Sequence, residues 1–270
     1  MIFKTSKCQE VFRNRFTGAS GEPFVDFGNG KRINNVLVDE SDVTLYKEGI
    51  TEDIKSFYYK SLLSYVEGMA AVSRKNFTWA TIKLYYSFYF GLRCSLLCRN
   101  VIIVRANKHL YYARIQLKEP IYGKPAEMTD HGGAIDVYSK YFKNSDIICL
   151  QKIDEVDAYK WMKNCREIVN YKDAEFHDPA ITELWEEIIS DINNSSFSQV
   201  LNKYIDKDKM EQYCSQATTA ILAIPTVRIR NVVNDIKNER IAVLSDEQRK
   251  WITSIAQEFI DVKDIEDLLI

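Results

Sequence analysis

The sequence predicts a mainly α protein, an antiparallel helical bundle with an inserted β-hairpin and extra C-terminal helices. Three observations carry that prediction. Apolar residues recur at the three- and four-residue spacing of helices from about residue 52 onward. Gly (10) and Pro (5) are scarce in 270 residues, which favours long packed helices over a loop-rich or all-β chain. One stretch, residues 101–115, instead carries β-branched and aromatic runs of strand length.

Residues 1–50 hold most of the turn chemistry, in Thr17-Gly-Ala-Ser-Gly21 and Phe27-Gly-Asn-Gly30, around short apolar pieces such as Val36-Leu-Val38. They read as an irregular or partly stranded arm. Ile54, Phe57, Tyr58, Leu62, Tyr65 and Met69 set a helix to about Arg74, behind a cap at Thr51. The next helix, Phe77 to about Asn100, is apolar on most faces, the pattern of a centrally buried rod. Val101-Ile-Ile-Val-Arg105 and Leu110-Tyr-Tyr-Ala-Arg-Ile115, joined by Ala106-Asn-Lys-His109, give the hairpin. A loop over 118–128 follows, and Asp130 is placed to cap a helix to about Phe142.

Between Asp154 and about Tyr171, Val156, Tyr159, Trp161, Met162, Cys165, Ile168 and Val169 define another helix face. Asp178 then reads as an N-cap with Pro179 at the first helical position of a helix to about Asn193. Asn193-Asn-Ser-Ser196 reads as a linker, so the expected organisation is an arm over 1–50, a bundle over 51–193 and a helical region over 197–270. In that last region helical patterns lie near 198–205, 208–223, 225–238 and 246–260, with Pro225 expected to break or kink the middle pair. Ser245-Asp-Glu-Gln248 matches a capping box. The acidic and apolar Asp261–Ile270 segment suits docking on the body or on a partner.

With 46% hydrophobic residues the chain has ample material for a buried core. Its 36 Lys plus Arg against 38 Asp plus Glu leave a formal charge of −2, so no global field draws it to nucleic acid or anionic lipid. The six cysteines are scattered through apolar stretches and read as reduced core residues, with no metal site or cofactor expected. No stretch has the roughly 20 uncharged residues of a membrane span, and the N-terminus lacks a signal-like apolar run, so a cytoplasmic location is expected.

Three segments, in order, resemble the HEPN superfamily of helical bundles. Trp79-Ala-Thr-Ile-Lys-Leu-Tyr-Tyr-Ser-Phe-Tyr-Phe-Gly-Leu-Arg93 is similar to the family's helix with paired aromatics. Asp130-His-Gly-Gly-Ala-Ile-Asp-Val-Tyr-Ser-Lys-Tyr-Phe142 resembles a Thr/Ser-His-x-Gly segment leading into an aromatic-bearing helix. Cys165-Arg-Glu-Ile-Val-Asn-Tyr171 is similar to an Arg-x-x-Ala-Asp-Tyr helix. Together they cover about residues 52–192. The resemblance implies a four- or five-helix up-and-down core with His131 and Arg166 near a shared seam. It also implies frequent homodimerisation and association with bacterial toxin–antitoxin or antiviral systems, in which many members cleave RNA without metal.

Catalytic members of that superfamily place a His four to six residues after an Arg, supplying a proton-transfer group and a cation for the phosphorane charge. Here Arg166 is followed by Glu167, Tyr171 stands where the His is expected, and the nearest His is His177. A phenol with a pKa near 10 is a poor base at neutral pH. Two functions therefore remain in view. One is a non-catalytic or weakly catalytic subunit acting through a protein partner encoded nearby, a homodimer, or both. The other is a metal-independent endoribonuclease toxin using Arg166 and His177.

The bland readings are an ion pair or carbonyl contact for Arg166 and a helix-terminating hydrogen-bond cluster for Asn170 and Tyr171. His131, before Gly132-Gly133, stands at a helix N-terminus suited either to an anion or to a tight turn. Arg105, Lys108, His109 and Arg114, with Tyr111 and Tyr112 between them, suit either RNA contact or a solvated face. Arg228, Arg230, Lys237 and Arg240 also read as a solvated face. A small-ligand or nucleotide pocket between bundle and hairpin is a third possibility. No Walker loop, GxSxG elbow, HExxH or dinucleotide fingerprint occurs.

Overall fold

The computed structural model describes residues 5–17, 33–107, 109–125, 128–239 and 241–270. Most of the arm's turn chemistry, together with Lys108 and Arg240, lies outside the described residues.

Two helices set the architecture. α2 (Glu40–Ser73) opens on a reciprocal capping box in which Asp39 accepts from Asp42 N and Asp42 accepts from Asp39 N, each at 2.9 Å. The helix thus starts twelve residues before the expected Thr51, whose hydroxyl donates instead to Lys47 O within the helix. α3 (Phe77–Cys98) turns back along α2 after Lys75, which takes the left-handed conformation at φ 56°. It is buried on nearly every face, as its apolar sequence predicts, because α9 (Ala217–Glu239) packs on its other side. The three rods meet at Gly91, where an added Cβ would lie 3.2 Å from Val232, 3.3 Å from Ser61 Oγ and 3.4 Å from Arg228.

α1 (Lys7–Thr17) corrects the irregular arm. Cys8, Phe12 and Phe16 recur at helical spacing, and the first two are buried against α2 and β1 (Val101–Ala106). Its opening amides, Lys7 N and Cys8 N, donate to Asp53 of α2 at 2.7 and 2.9 Å. β1 pairs antiparallel with β2 (His109–Arg114) from Val101↔Arg114 to Ala106↔His109, as expected. β3 (Tyr122–Gly123) then extends the sheet from β2. Val36 and Val38 exchange backbone hydrogen bonds with residues 118–121, so the expectation of strand-like pieces in the arm holds there.

α4 (Asp130–Phe142) is capped by Thr129 rather than Asp130: the Thr129 hydroxyl accepts from Gly132 N at 3.1 Å. Gly133 is required for close approach, since a Cβ there would stand 2.2 Å from Leu110 Cδ2. A 3₁₀ turn (Ile147–Leu150) leads to a small hairpin of β4 (Lys152–Ile153) and β5 (Val156–Asp157). Asp154 and Glu155 both have positive φ, 48° and 61°, the geometry of a type I′ turn, so the helix expected from Asp154 begins four residues later. α5 (Ala158–Glu167) continues into a π-turn (Ile168–Lys172).

α6 (Glu183–Asn194) starts at Thr182, not at Asp178. Asp178, whose bond to Pro179 is cis, serves a different helix: its Oδ1 accepts from Phe77 N at 2.5 Å and Thr78 N at 3.1 Å, capping α3. The expected linker is a tight corner, with Ser195 following α6 and Ser196 forming a capping box with Gln199 at the head of α7 (Phe197–Tyr204). α8 (Met210–Ser215) precedes α9. α9 runs unbroken through Pro225 because every residue from Thr219 to Ile229 is buried, and that packing outweighs the roughly 3 kcal/mol that an interior proline costs. α10 (Asp246–Ala256) starts on the expected Ser245 capping box.

The final 3₁₀ turn (Val262–Leu268) docks on the body, where Tyr58 Oη donates to Leu268 O at 2.5 Å and Arg230 pairs with Asp267. One continuous cluster of buried side chains extends from Cys8 to Leu268. Among the described residues no helix is long and apolar enough to cross a membrane.

Arg228 overturns the solvated-face reading for its position. It is 1% exposed and donates to Asp146 Oδ2 at 2.9 Å, to Ser95 Oγ at 2.7 Å and to the Tyr138 hydroxyl, with Asp235 Oδ2 at 3.3 Å. Asp146 also accepts from Tyr138 Oη at 2.7 Å, Tyr159 Oη at 2.5 Å and Ile148 N at 3.0 Å. A buried cation is thus matched by carboxylates and hydroxyls from α3, α4, α5, α9 and the 3₁₀ turn region.

Candidate functional site

Three tyrosines of α3 organise the first candidate. Tyr85, Tyr86 and Tyr89 occupy i, i+1 and i+4 positions, so one side of the helix presents a run of rings. His131, in the first turn of α4, packs against that run with its ring 4.3 Å from Tyr89 and its Nδ1 2.6 Å from Tyr85 Oη. Arg166, at the end of α5, reaches Tyr85 and Tyr86 of this run. Its Nη2 donates to Tyr86 Oη at 2.9 Å and to Tyr171 Oη at 3.3 Å, and its guanidinium faces Tyr85, Tyr86 and Tyr171 at 4.9–5.7 Å from the ring centroids. The His131 ring also lies edge-on to Tyr86 at 5.9 Å, so His131 and Arg166 share contacts with Tyr85 and Tyr86.

The π-turn makes the Tyr171 contact. In a regular α-helix, residues five apart point roughly 140° away from each other. Widening to i→i+5, with Asp173 N donating to Ile168 O at 2.9 Å, brings Tyr171 round to the Arg166 face. Nothing in the sequence pattern signals that change of period.

Burial lowers the pKa of His131, and the nearby Arg166 lowers it further, so the imidazole is neutral at pH 7. Burial raises the Tyr85 phenol, with Tyr89 adding to the rise and Arg166 opposing it, so Tyr85 is a hydrogen-bonding group and not a base. The seam combines a fixed cation, a neutral imidazole and phenols. That set can hold an anion, and it contains no activated nucleophile. Glu167 is taken by Lys163 at 3.1 Å and leaves Arg166 without a carboxylate partner among the described residues.

His177 lies elsewhere. Its Nε2 is 3.1 Å from Asp173 Oδ2, and no hydrogen bond, ion pair or ring contact among the described residues joins it to Arg166. It lines a cavity of about 340 Å³ walled by the starts of α3 and α6 and by the π-turn. Asn170 is exposed on the π-turn, and Tyr171 is 69% exposed.

The hairpin is not an open basic and aromatic platform. Tyr111 and Tyr112 are buried, so their faces are closed to a stacking base. Arg105 is held by Asp130 and by Met128 O, and Gln9 clamps its backbone by accepting from Arg105 N at 2.7 Å and donating to Arg105 O at 2.8 Å. Arg114 lies over the Tyr141 ring at 5.0 Å. The helix start beside His131 is equally occupied, because Thr129 takes Gly132 N and Asp130 places its own carboxylate in the first turn.

All six cysteines are free, and among the described residues no group of three or more His, Cys, Asp and Glu side chains is placed to hold a metal ion. Comparison of the chain with protein-family models, with curated proteins and with solved structures finds no match in any of the three.

Proposed function

We propose that this chain is a HEPN-like subunit of a prokaryotic conflict system, anti-phage or toxin–antitoxin, that acts by binding a protein partner and is non-catalytic or weakly catalytic. The observation that carries the proposal is the state of Arg166. Its Nη2 donates to Tyr86 and Tyr171, while the only downstream histidine pairs with Asp173 and lines a cavity to which Arg166 does not contribute. Metal-free RNA cleavage needs a cation and a proton-transfer group converging on one phosphate, and the different partners of Arg166 and His177 favour the partner-binding reading over that one. The meeting of His131 and Arg166 on Tyr85 and Tyr86 supports the superfamily resemblance from which the conflict-system biology comes.

Co-expression with the products of neighbouring genes tests the proposal, with a stoichiometric complex expected on size exclusion. A chain that ignores every neighbour overturns it. Incubation with RNA in EDTA tests the endoribonuclease alternative, for which cleavage must be lost in both Arg166→Ala and His177→Ala.

A further inference from the structure

The cavity that His177 lines has a chemistry of its own. Its walls are Phe77, Thr81, Ile168, Phe176, Leu184 and Trp185, with the Trp185 ring 5.5 Å from Phe77 at the buried end. Its rim carries Asp173, Glu175, Asp178 and Glu183, and among the described residues no Lys or Arg lines it. Asp178 is engaged in capping α3 and Asp173 faces His177, but Glu175 and Glu183 make no ion pair among the described residues. The apolar wall continues outside the cavity. Phe176 is 60% exposed and meets Trp79 edge-on at 6.5 Å; Trp79, 47% exposed, shares the next groove with Trp251, 54% exposed. Single exposed apolar residues are ordinary, whereas a run of aromatics leading into a cavity marks an interaction surface.

We propose that this cavity and its aromatic band dock an extended basic and apolar segment of the protein partner. An apolar side chain sits between Phe176 and Trp185, and flanking Arg or Lys side chains reach Glu175 and Glu183. Charge complementarity selects that occupant, since an acidic segment or a nucleic-acid backbone sets like charge against the rim. A second copy docking by the same face meets the same objection, because a two-fold contact brings acidic rim against acidic rim. The inference rests on the partner-binding reading above and adds where the partner binds and what it presents.

Two acetylated, amidated hexapeptides test it, one with Leu and Arg alternating and one with Leu and Glu alternating. Binding is read from the indole N–H signals of the four tryptophans, assigned by single Trp→Phe variants. The expected result is saturable shifts of the Trp79 and Trp185 signals with the Leu/Arg peptide alone. Binding should weaken about five- to tenfold in Glu175→Gln/Glu183→Gln, by the loss of two rim charges. It should also weaken in Phe176→Ser, whose exposed position leaves the fold intact by circular dichroism. Equal binding of both peptides, or binding indifferent to these substitutions, overturns the proposal. So does sedimentation of a dimer that Phe176→Ser converts to monomer, which makes a second copy the occupant. A neighbour-gene complex that survives Phe176→Ser with unchanged affinity overturns this surface and leaves the partner reading standing. Selective Leu/Arg binding by a chain that ignores every neighbour supports the surface and removes the partner reading.

Discussion

Replacing Arg228 with Met keeps most of the side chain's aliphatic volume and removes the guanidinium that joins Asp146, Ser95, Asp235 and Tyr138. Breaking a buried ion pair from one side costs about 3–5 kcal/mol, because the remaining charge is left in a poor solvent. Asp146 retains three donors, the hydroxyls of Tyr138 and Tyr159 and the amide of Ile148, and the Asp235 side chain is 20% exposed and can rehydrate. Both facts place the loss for Arg228→Met at the lower end, about 3 kcal/mol. Asp146→Leu leaves the guanidinium at 1% exposure with Asp235, 3.3 Å away, as its remaining carboxylate among the described residues, which moves the loss to about 5 kcal/mol. Because each single change orphans the other partner, the double variant should fall short of the sum by about 2 kcal/mol. Urea unfolding at pH 7, followed by far-UV circular dichroism with a common m-value, measures all three. A loss under about 1 kcal/mol for Arg228→Met, or strict additivity in the double variant, refutes the argument that this cation neutralises a buried carboxylate.

Three further outcomes are expected. The folded-state pKa of His131 lies below its unfolded value, so the unfolded chain binds more protons in that window, and acidification through and below about pH 6.5 should destabilise the protein. His131→Gln should therefore lose less melting temperature than the parent between pH 7.5 and 5.5, and an equal loss would remove His131 as a contributor. Asp178→Ala leaves the first amides of α3 uncapped and should cost about 1 kcal/mol in urea unfolding, while Asp178→Asn, which retains an acceptor, should cost less than half of that. Burial pushes the thiols of Cys149, Cys165 and Cys214 up to about 12, so at pH 8 their thiolate fraction is about one in ten thousand. A colourimetric disulfide reagent should titrate none of these three in minutes on the folded chain, and all six cysteines in urea.

What was legible in the sequence follows from the range of the interaction that decides each element. α3, the hairpin and α10 were legible because their signals are local: a continuous apolar run, paired β-branched strands, and a Ser-x-x-Gln box. The start of α2 was not, since a polar first turn hides behind an Asp39/Asp42 box that departs from the usual Ser/Thr-x-x-Glu form. α1 was overshadowed by the turn residues that follow it, although Cys8, Phe12 and Phe16 carried its period. At the candidate site the meeting of His131 and Arg166 was anticipated, and the three tyrosines that mediate it were visible as a spacing without a role. The π-turn is a local change of helical period that the residue pattern does not signal, whereas the burial of Arg228 and the duty of Asp178 depend on partners far along the chain. Asp146 is 82 residues from Arg228, and Phe77 is 101 from Asp178.

That last separation governs how the protein can be made. Asn76 gives α3 no side-chain acceptor at its start, so in a nascent chain the Phe77 and Thr78 amides have no side-chain cap until Asp178 has been synthesised and has left the ribosome. The central rod is therefore finished late and from a distance, by a residue of the loop that also borders the aromatic cavity. Capping of the first turn of α3 and one border of that cavity thus depend on the same residue, and a chain arrested before residue 178 lacks both.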